Sequence, residues 1–320
     1  MAALGVLAAT MVPGGGDAAA AASNAGAHAT TLIERRDGFV NAGGVMIYFV
    51  SIGSGQPLVV LHGGPGATHD DFLPSFLTQA AHRRLVLIDE RGSGRSERLV
   101  DTKGYTLDNM VNDVEAVRVA LDLGKIDLLG HSFGGILAQA YAIKHPDHLR
   151  RLILASTGSS AARIDADFAT IMRSLDKSLR ERIKALEASG IFDASGAQFA
   201  EYRKLADQAE LPYMYHVRPP TWDSTGAALG WDVLREMWGP VSDFHIDGNL
   251  KGFDFTPALR GLKVPTLVIY GDHDLLTPAT AQESHSAIAN SQLVELRDAA
   301  HMTFVDQPAA YFDAVSTFLK

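Results

Sequence analysis

The reading of this chain turns on LGHSFGG, Leu129–Gly135. The segment KIDLL, Lys125–Leu129, leads into it and reads as a strand. The stretch after it, Ile136–His145, reads as a helix stopped before Pro146. Gly130-His131-Ser132-Phe133-Gly134 therefore fits G-x-S-x-G at a strand-to-helix turn. At such a turn flanking side chains clash with the neighbouring strand and helix, which is why glycines stand there. The strained backbone holds the serine hydroxyl out over the end of the sheet. The helix behind it points its N-terminus at the same spot and favours developing negative charge. The bland alternative is a serine that only caps a helix. The pattern alone is common, and the strand–turn–helix context gives it weight.

Working outward, the same rhythm repeats. Gly38–Pro57 reads as two strands in a hairpin, with Gly43-Gly44 at the turn. PLVVLHGGPG (Pro57–Gly66) is a buried strand entering a glycine-rich loop, and Arg83–Ser96 repeats the plan. Thr106–Gly124 is a helix: Thr106 is the N-cap, Val111, Val114, Val117 and Leu121 form the apolar stripe, and Gly124 ends it. Leu149–Thr157 is another buried strand. Strand signal then fades over 158–250, where helical stretches such as Asp167–Gly190 dominate and all three tryptophans fall. The α/β alternation resumes at Val264–Asp274, continues through Ser291–His301 and closes with the helix Pro308–Lys320. Alternation of this kind predicts an α/β fold with a mostly parallel sheet. The expected organisation is a core of 31–157 with 251–320, and a helical insertion over 158–250.

A serine hydroxyl is a weak nucleophile and needs a base that an acid holds in place. With this elbow the chain order is serine, acid, histidine. His285 lies in a stretch that reads as a helix, whereas His301 lies in the loop after the last strand and is the expected base. In the loop after TLVIYG, Asp272 and Asp274 compete. Asp274 is the expected acid, because the residue next to the strand tends to hydrogen-bond the turn. An oxyanion needs two N–H donors aimed at one point. Phe133 supplies one, and the HGGPG loop the other, with Gly64 favoured over Gly63. His62 reads as a residue that fixes this loop, and Asp89–Ser96 as a brace for the same rim or a plain surface loop.

Together HGGPG, DERGSGRS, GHSFGG, GDHDLLTP and DAAHMTF, in this order, resemble the α/β-hydrolase superfamily and, within it, the prolyl aminopeptidase (proline iminopeptidase) family with its amidase relatives. The match covers Gly44 to Lys320. It implies an eight-stranded, mostly parallel sheet, a helical cap after the sixth strand, no cofactor, and Ser132, Asp274 and His301 as the triad. It also implies cleavage of small peptides, amino-acid amides or esters that carry a free N-terminal amine, held by acidic side chains. Where relatives tend to carry a glutamate near the end of the cap, this chain has Asp243, one methylene shorter; Glu201 and Glu210 are further candidates. The bland reading of Glu201 and Glu210 is a solvated helix face. Tyr213, Tyr215, Trp222, Trp231 and Trp238 are mostly cap core, with one or two lining the pocket. Two other functions fit the same fold: an esterase or lactonase on small acyl substrates, and a ligand-binding homologue without turnover.

Composition narrows the remaining classes. The chain has 320 residues, 47% hydrophobic, which is ample for a sizeable core. A net charge of −9 without a basic patch argues against nucleic acid as a partner. Cysteine is absent, so thiol catalysis, disulfides and cysteine metal sites are excluded. The twelve histidines show no metal-ligand spacing, and no apolar run reaches the length of a membrane span. Residues 1–30 are apolar and alanine-rich with A-x-A sites, like a secretory signal, but the first Lys or Arg is Arg35. The expectation is export to the periplasm or beyond, or else a disordered leader on a cytoplasmic protein.

Overall fold

The structure is a computed structural model that describes residues 34–190, 197–217 and 229–320. The expected leader and Trp222 lie outside the described residues.

Eight strands form one sheet in the order β1-β2-β4-β3-β5-β6-β7-β8. They are β1 (Arg35–Ala42), β2 (Val45–Ile52), β3 (Pro57–Leu61), β4 (Arg84–Ile88), β5 (Ile126–His131), β6 (Leu149–Ala155), β7 (Thr266–Gly271) and β8 (Ser291–Leu296). β1 and β2 pair antiparallel across a two-residue turn that joins Ala42 to Val45. Gly43 and Gly44 both take positive φ there, 67° and 99°, the geometry that a tight hairpin requires. β2 is antiparallel to β4, and every later pairing is parallel.

The central strands are buried along their whole length because helices cover both faces. Side chains alternate between the two cores: Val59 and Leu61 join one, Leu58 and Val60 the other. Helix α1 (Leu107–Ala120) packs Val111, Val114 and Val117 into the first core. The Thr106 hydroxyl accepts the Asn109 N–H at 3.2 Å and caps it. The chain leaves the helix at Ala120, and Asp122 and Gly124 take positive φ beyond it. Helix α2 (Phe133–Lys144) follows β5 directly.

Between β6 and β7 lie α3 (Ala161–Ser174), α4 (Lys177–Ala188), α5 (Ala197–Met214) and α6 (Trp231–Met237). After β7 come α7 (Pro278–Ala287) and, at the end, α8 (Pro308–Phe318). The sheet and these helices belong to one compact unit, Ile33–Lys320. No described helix is long and apolar enough to cross a membrane. The carboxyl ends of β3, β5, β7 and β8 open onto the same rim, where parallel sheets present their functional loops.

Candidate active site

Ser132 stands between β5 and α2 with φ 54° and ψ −121°, a conformation that costs a non-glycine residue about 1–3 kcal/mol. Neighbouring contacts hold it there. Its N–H donates to the Ala155 carbonyl at 3.0 Å, and its own carbonyl accepts the Thr157 hydroxyl at 2.7 Å. A β-carbon on Gly130 would run into the Gly134 backbone, and one on Gly134 into the Leu61 and His62 carbonyls. Both glycines of the motif are thus required by space rather than by flexibility. Ser132 is half-buried and lines a cavity of about 640 Å³.

His301 lines the same cavity, from the loop after β8. Its Nδ1–H donates to Asp274 Oδ1 at 2.7 Å, with both side chains buried. The Asp274 carboxylate also accepts the Leu276 N–H at 2.9 Å, which fixes its plane. This bond commits Nδ1, and leaves Nε2 of His301 as the free basic nitrogen. No hydrogen bond joins that ring to the Ser132 hydroxyl in this structure. Asp272 is committed elsewhere: it accepts the Ala299 N–H at 3.2 Å and so ties the β7 loop to the turn before His301. His285 sits on α7 and bonds Ser291 at 2.8 Å, away from the cavity.

Phe133 is the first residue of α2, so its N–H has no partner inside the helix. Gly64 faces the cavity with φ 108°, and Gly63 lines it as well. The HGGPG loop is pinned from behind by His62. Its Nε2 accepts the Glu90 N–H at 3.1 Å, so its Nδ1 carries the proton that the Gly63 carbonyl accepts at 2.8 Å. Burial lowers the pKa of His62 and keeps this ring neutral.

Asp89 braces the next turn. Its Oδ1 accepts from His69 N and Nδ1 at 2.9 and 2.7 Å, and its Oδ2 from Arg95 N at 2.8 Å. Burial works against its charge, yet these bonds prevail and hold its pKa at about 2.

The far wall comes from the helices after β6. Arg203 and Asp207 on α5, with Glu210 at its cavity end and Asp243 from the loop after α6, all line the cavity. Arg203 donates to Asp243 and, at 2.9 Å, to Asp207, and its guanidinium lies 5.1 Å from the Trp231 ring centre. Three carboxyls face one guanidinium. Burial raises the pKa of Asp207, Asp243 and Glu210, and for Glu210 the charge of Asp243 adds to the rise. Asp243 is further held by its neighbours: its N–H donates to the Tyr202 hydroxyl at 3.0 Å, and its carbonyl accepts from Trp238 Nε1 at 3.0 Å.

The expectation for Glu201 is corrected. Its carboxylate is spent on an exposed pair with Arg182, at 2.7 Å through both oxygens, and it does not line the cavity. Asp207 and Arg203 do line it and were not singled out in the sequence. The signal was present: at about 100° per residue, 203, 207 and 210 fall on one face of a helix, while 201 and 210 point opposite ways. Of Tyr213, Tyr215, Trp231 and Trp238, Tyr215 and Trp238 line the cavity.

Comparison with known proteins bears on the fold and the family. The family described as alpha/beta hydrolase fold matches residues 56–308. A proline iminopeptidase of Heyndrickxia coagulans is 31% identical over 289 residues, covering 89% of this chain and 98% of the relative. One from Saccharolobus solfataricus is 31% identical over 296 residues, covering 90% and 93%. The crystal structure of a proline iminopeptidase from Mycobacterium smegmatis superposes with a TM-score of 0.76 at 25% identity, covering 89% of this chain and 97% of that one.

Proposed function

The chain belongs to the α/β-hydrolase superfamily and, within it, to the proline iminopeptidase family, and from that premise we propose that it is a serine aminopeptidase. It releases an N-terminal residue, proline first among them, from a short peptide or amide. The observation that carries the reading is the pairing of two features in one cavity. Ser132 and His301, the latter held by Asp274, line it, and so does a cluster with more carboxyls than guanidinium.

In this scheme the substrate ammonium enters the acidic cluster, where Glu210 and Asp243 offset its charge with Asp207 beside them. Buried acids with raised pKa values gain most from a cationic partner, so the site prefers a free amine to an acylated one. The scissile carbonyl then lies against Ser132. His301 Nε2 takes the Ser132 proton as the oxygen attacks, and Asp274 stabilises the resulting imidazolium. The negative oxygen is received by the N–H groups of Phe133 and Gly64. As the C–N bond breaks, His301 gives its proton to the leaving amine. A water loses a proton to His301 and attacks the acyl-enzyme. The amino acid leaves, and the proton returns to Ser132.

The test is a matched pair of substrates, a prolyl amide reporter with a free amine and the same molecule N-acetylated. Cleavage of the free-amine compound alone is expected. Equal cleavage of both would remove the amine-reading role and leave a general amidase or esterase. Failure of fluorophosphonate to label Ser132 would remove the serine mechanism.

A further inference from the structure

G-x-S-x-G leaves its second position open, yet here His131 is fully buried at the centre of the site. Its ring touches three separate parts. Nε2 lies 3.0 Å from the main-chain carbonyl of His301, and the two imidazoles are 4.8 Å apart at 56°. Phe72 and Phe304 pack edge-on against the ring at 5.4 and 5.5 Å. Its other nitrogen faces the oxyanion loop: a β-carbon at Gly63 would lie 3.1 Å from Nδ1 and 3.2 Å from the Ser132 β-carbon. Nδ1 has no hydrogen-bond partner among the described residues. A carbonyl can only accept, so the contact to His301 requires the proton on Nε2. That leaves Nδ1 bare, in agreement with its lack of a partner. The peptide groups of His301 are thereby held from two sides, since the His301 N–H donates to the Tyr213 carbonyl at 2.9 Å.

Resting on the serine-hydrolase reading above, we infer that His131 is a positioning residue: its Nε2–H anchors the main chain of the general base to the nucleophile strand. The ring acts as a neutral donor. Burial and the nearby His301 oppose a charge on it, and its pKa falls to about 3. A charged ring there would repel the imidazolium that His301 becomes during the reaction. The neutral tautomer fixes the loop without that cost. The bond ties strand, base loop and, by contact, the Gly63 edge of the oxyanion loop. All three meet the same reacting carbon, and sub-ångström misplacement of such groups is costly.

The experiment compares wild type with His131→Phe and His131→Gln on one turned-over substrate. Phenylalanine keeps the ring packing and removes the donor; glutamine restores a donor of similar reach. The expected result is a fall in kcat of about tenfold or more for His131→Phe with KM within about twofold, and substantial recovery in His131→Gln. The rate of fluorophosphonate labelling should fall and recover in step. A kcat for His131→Phe within about twofold of wild type, or a glutamine variant no better than phenylalanine, overturns the inference. ¹⁵N NMR of the wild-type protein gives a reading that needs no variant. A neutral Nε2–H tautomer at neutral pH supports the anchor; an Nδ1–H tautomer or an imidazolium overturns it. If wild type is neither labelled nor active on any acyl substrate, the serine-hydrolase reading fails instead, and the tautomer still decides the anchor.

Discussion

Glu210 is the residue at which function and stability pull in opposite directions. Its carboxyl is carried on α5 into a cavity it shares with Asp207 and Asp243, and burial raises its pKa above the ordinary 4.5. A raised carboxyl pKa means that the folded state holds a proton the unfolded state has released. Stability therefore declines as pH rises from 4.5 through the raised value, and the cost is complete above it. Glu210→Gln should accordingly raise the melting temperature at mildly alkaline pH, with the gain shrinking toward zero as pH falls to about 4.5. The same substitution should raise KM for a free-amine substrate while leaving labelling of Ser132 by fluorophosphonate intact. Thermal melts across pH, beside amidase kinetics, check both halves; a variant less stable than wild type at alkaline pH would contradict the account. Asp274→Asn belongs to the same scale. It replaces an acceptor-only carboxylate by an amide whose NH2 can face Nδ1, so the His301 tautomer is no longer fixed and its imidazolium loses its counter-charge. The value of kcat should fall on the order of 10³–10⁴-fold with little change in KM, as steady-state kinetics would read.

At the scale of single elements, much was legible in the sequence because short-range physics determines it. The Thr106 cap, the Val111–Val114–Val117 stripe and the Gly43-Gly44 turn are local signals, and each stands in the structure where the pattern puts it. The contact between Asp274 and His301 was also legible, since chain order and the strand-to-loop boundary narrow the choice before any contact is seen. The acidic wall was only half legible. Glu201 and Glu210 look alike as residues in one helical stretch, and only the helical angle between them separates an exposed Arg182 partner from a cavity acid. Asp207 went unnoticed because an (i, i+4) pair with Arg203 reads as a common surface pair until the rest of the cavity surrounds it. The cap on α1 gives a clean test of a local contribution away from the cavity. Thr106→Ala should cost about 1 kcal/mol in urea unfolding, with kcat and KM unchanged. No loss of stability would mean that the N–H of Asn109 is satisfied equally well by water.

At the scale of the molecule, the site depends on ties between loops that lie far apart in sequence, and these are what the pattern of residues could not display. The loop Asp89–Ser96 is the plainest case. Read alone it was as good a surface loop as a brace. In the structure Arg91 is buried and donates to both oxygens of Asp113 on α1 at 2.6 Å, and to the Gly104 and Asn109 carbonyls. One residue before it, the Glu90 N–H holds His62 of the HGGPG loop, and Asp89 holds Thr68 and His69 just beyond that loop. The fork of Arg91 thus anchors to a core helix the turn on which the oxyanion loop rests. Burial raises the pKa of Asp113 to about 6 even against the opposing effect of Arg91, so an unpaired carboxylate in this place would be expensive. Arg91→Met should therefore destabilise the protein by about 3–5 kcal/mol. The double variant Arg91→Met with Asp113→Leu, which removes both charges, should recover most of that loss. If the pair serves the site as well as the fold, the double variant will be stable yet slow, because an apolar contact does not fix the loop's direction as a two-pronged hydrogen bond does. Urea unfolding of the three proteins, read beside kcat for each, separates the two contributions. A double variant with both stability and kcat of wild type would show that the Arg91 fork is dispensable, and that the HGGPG loop is held by His62 and Asp89 alone.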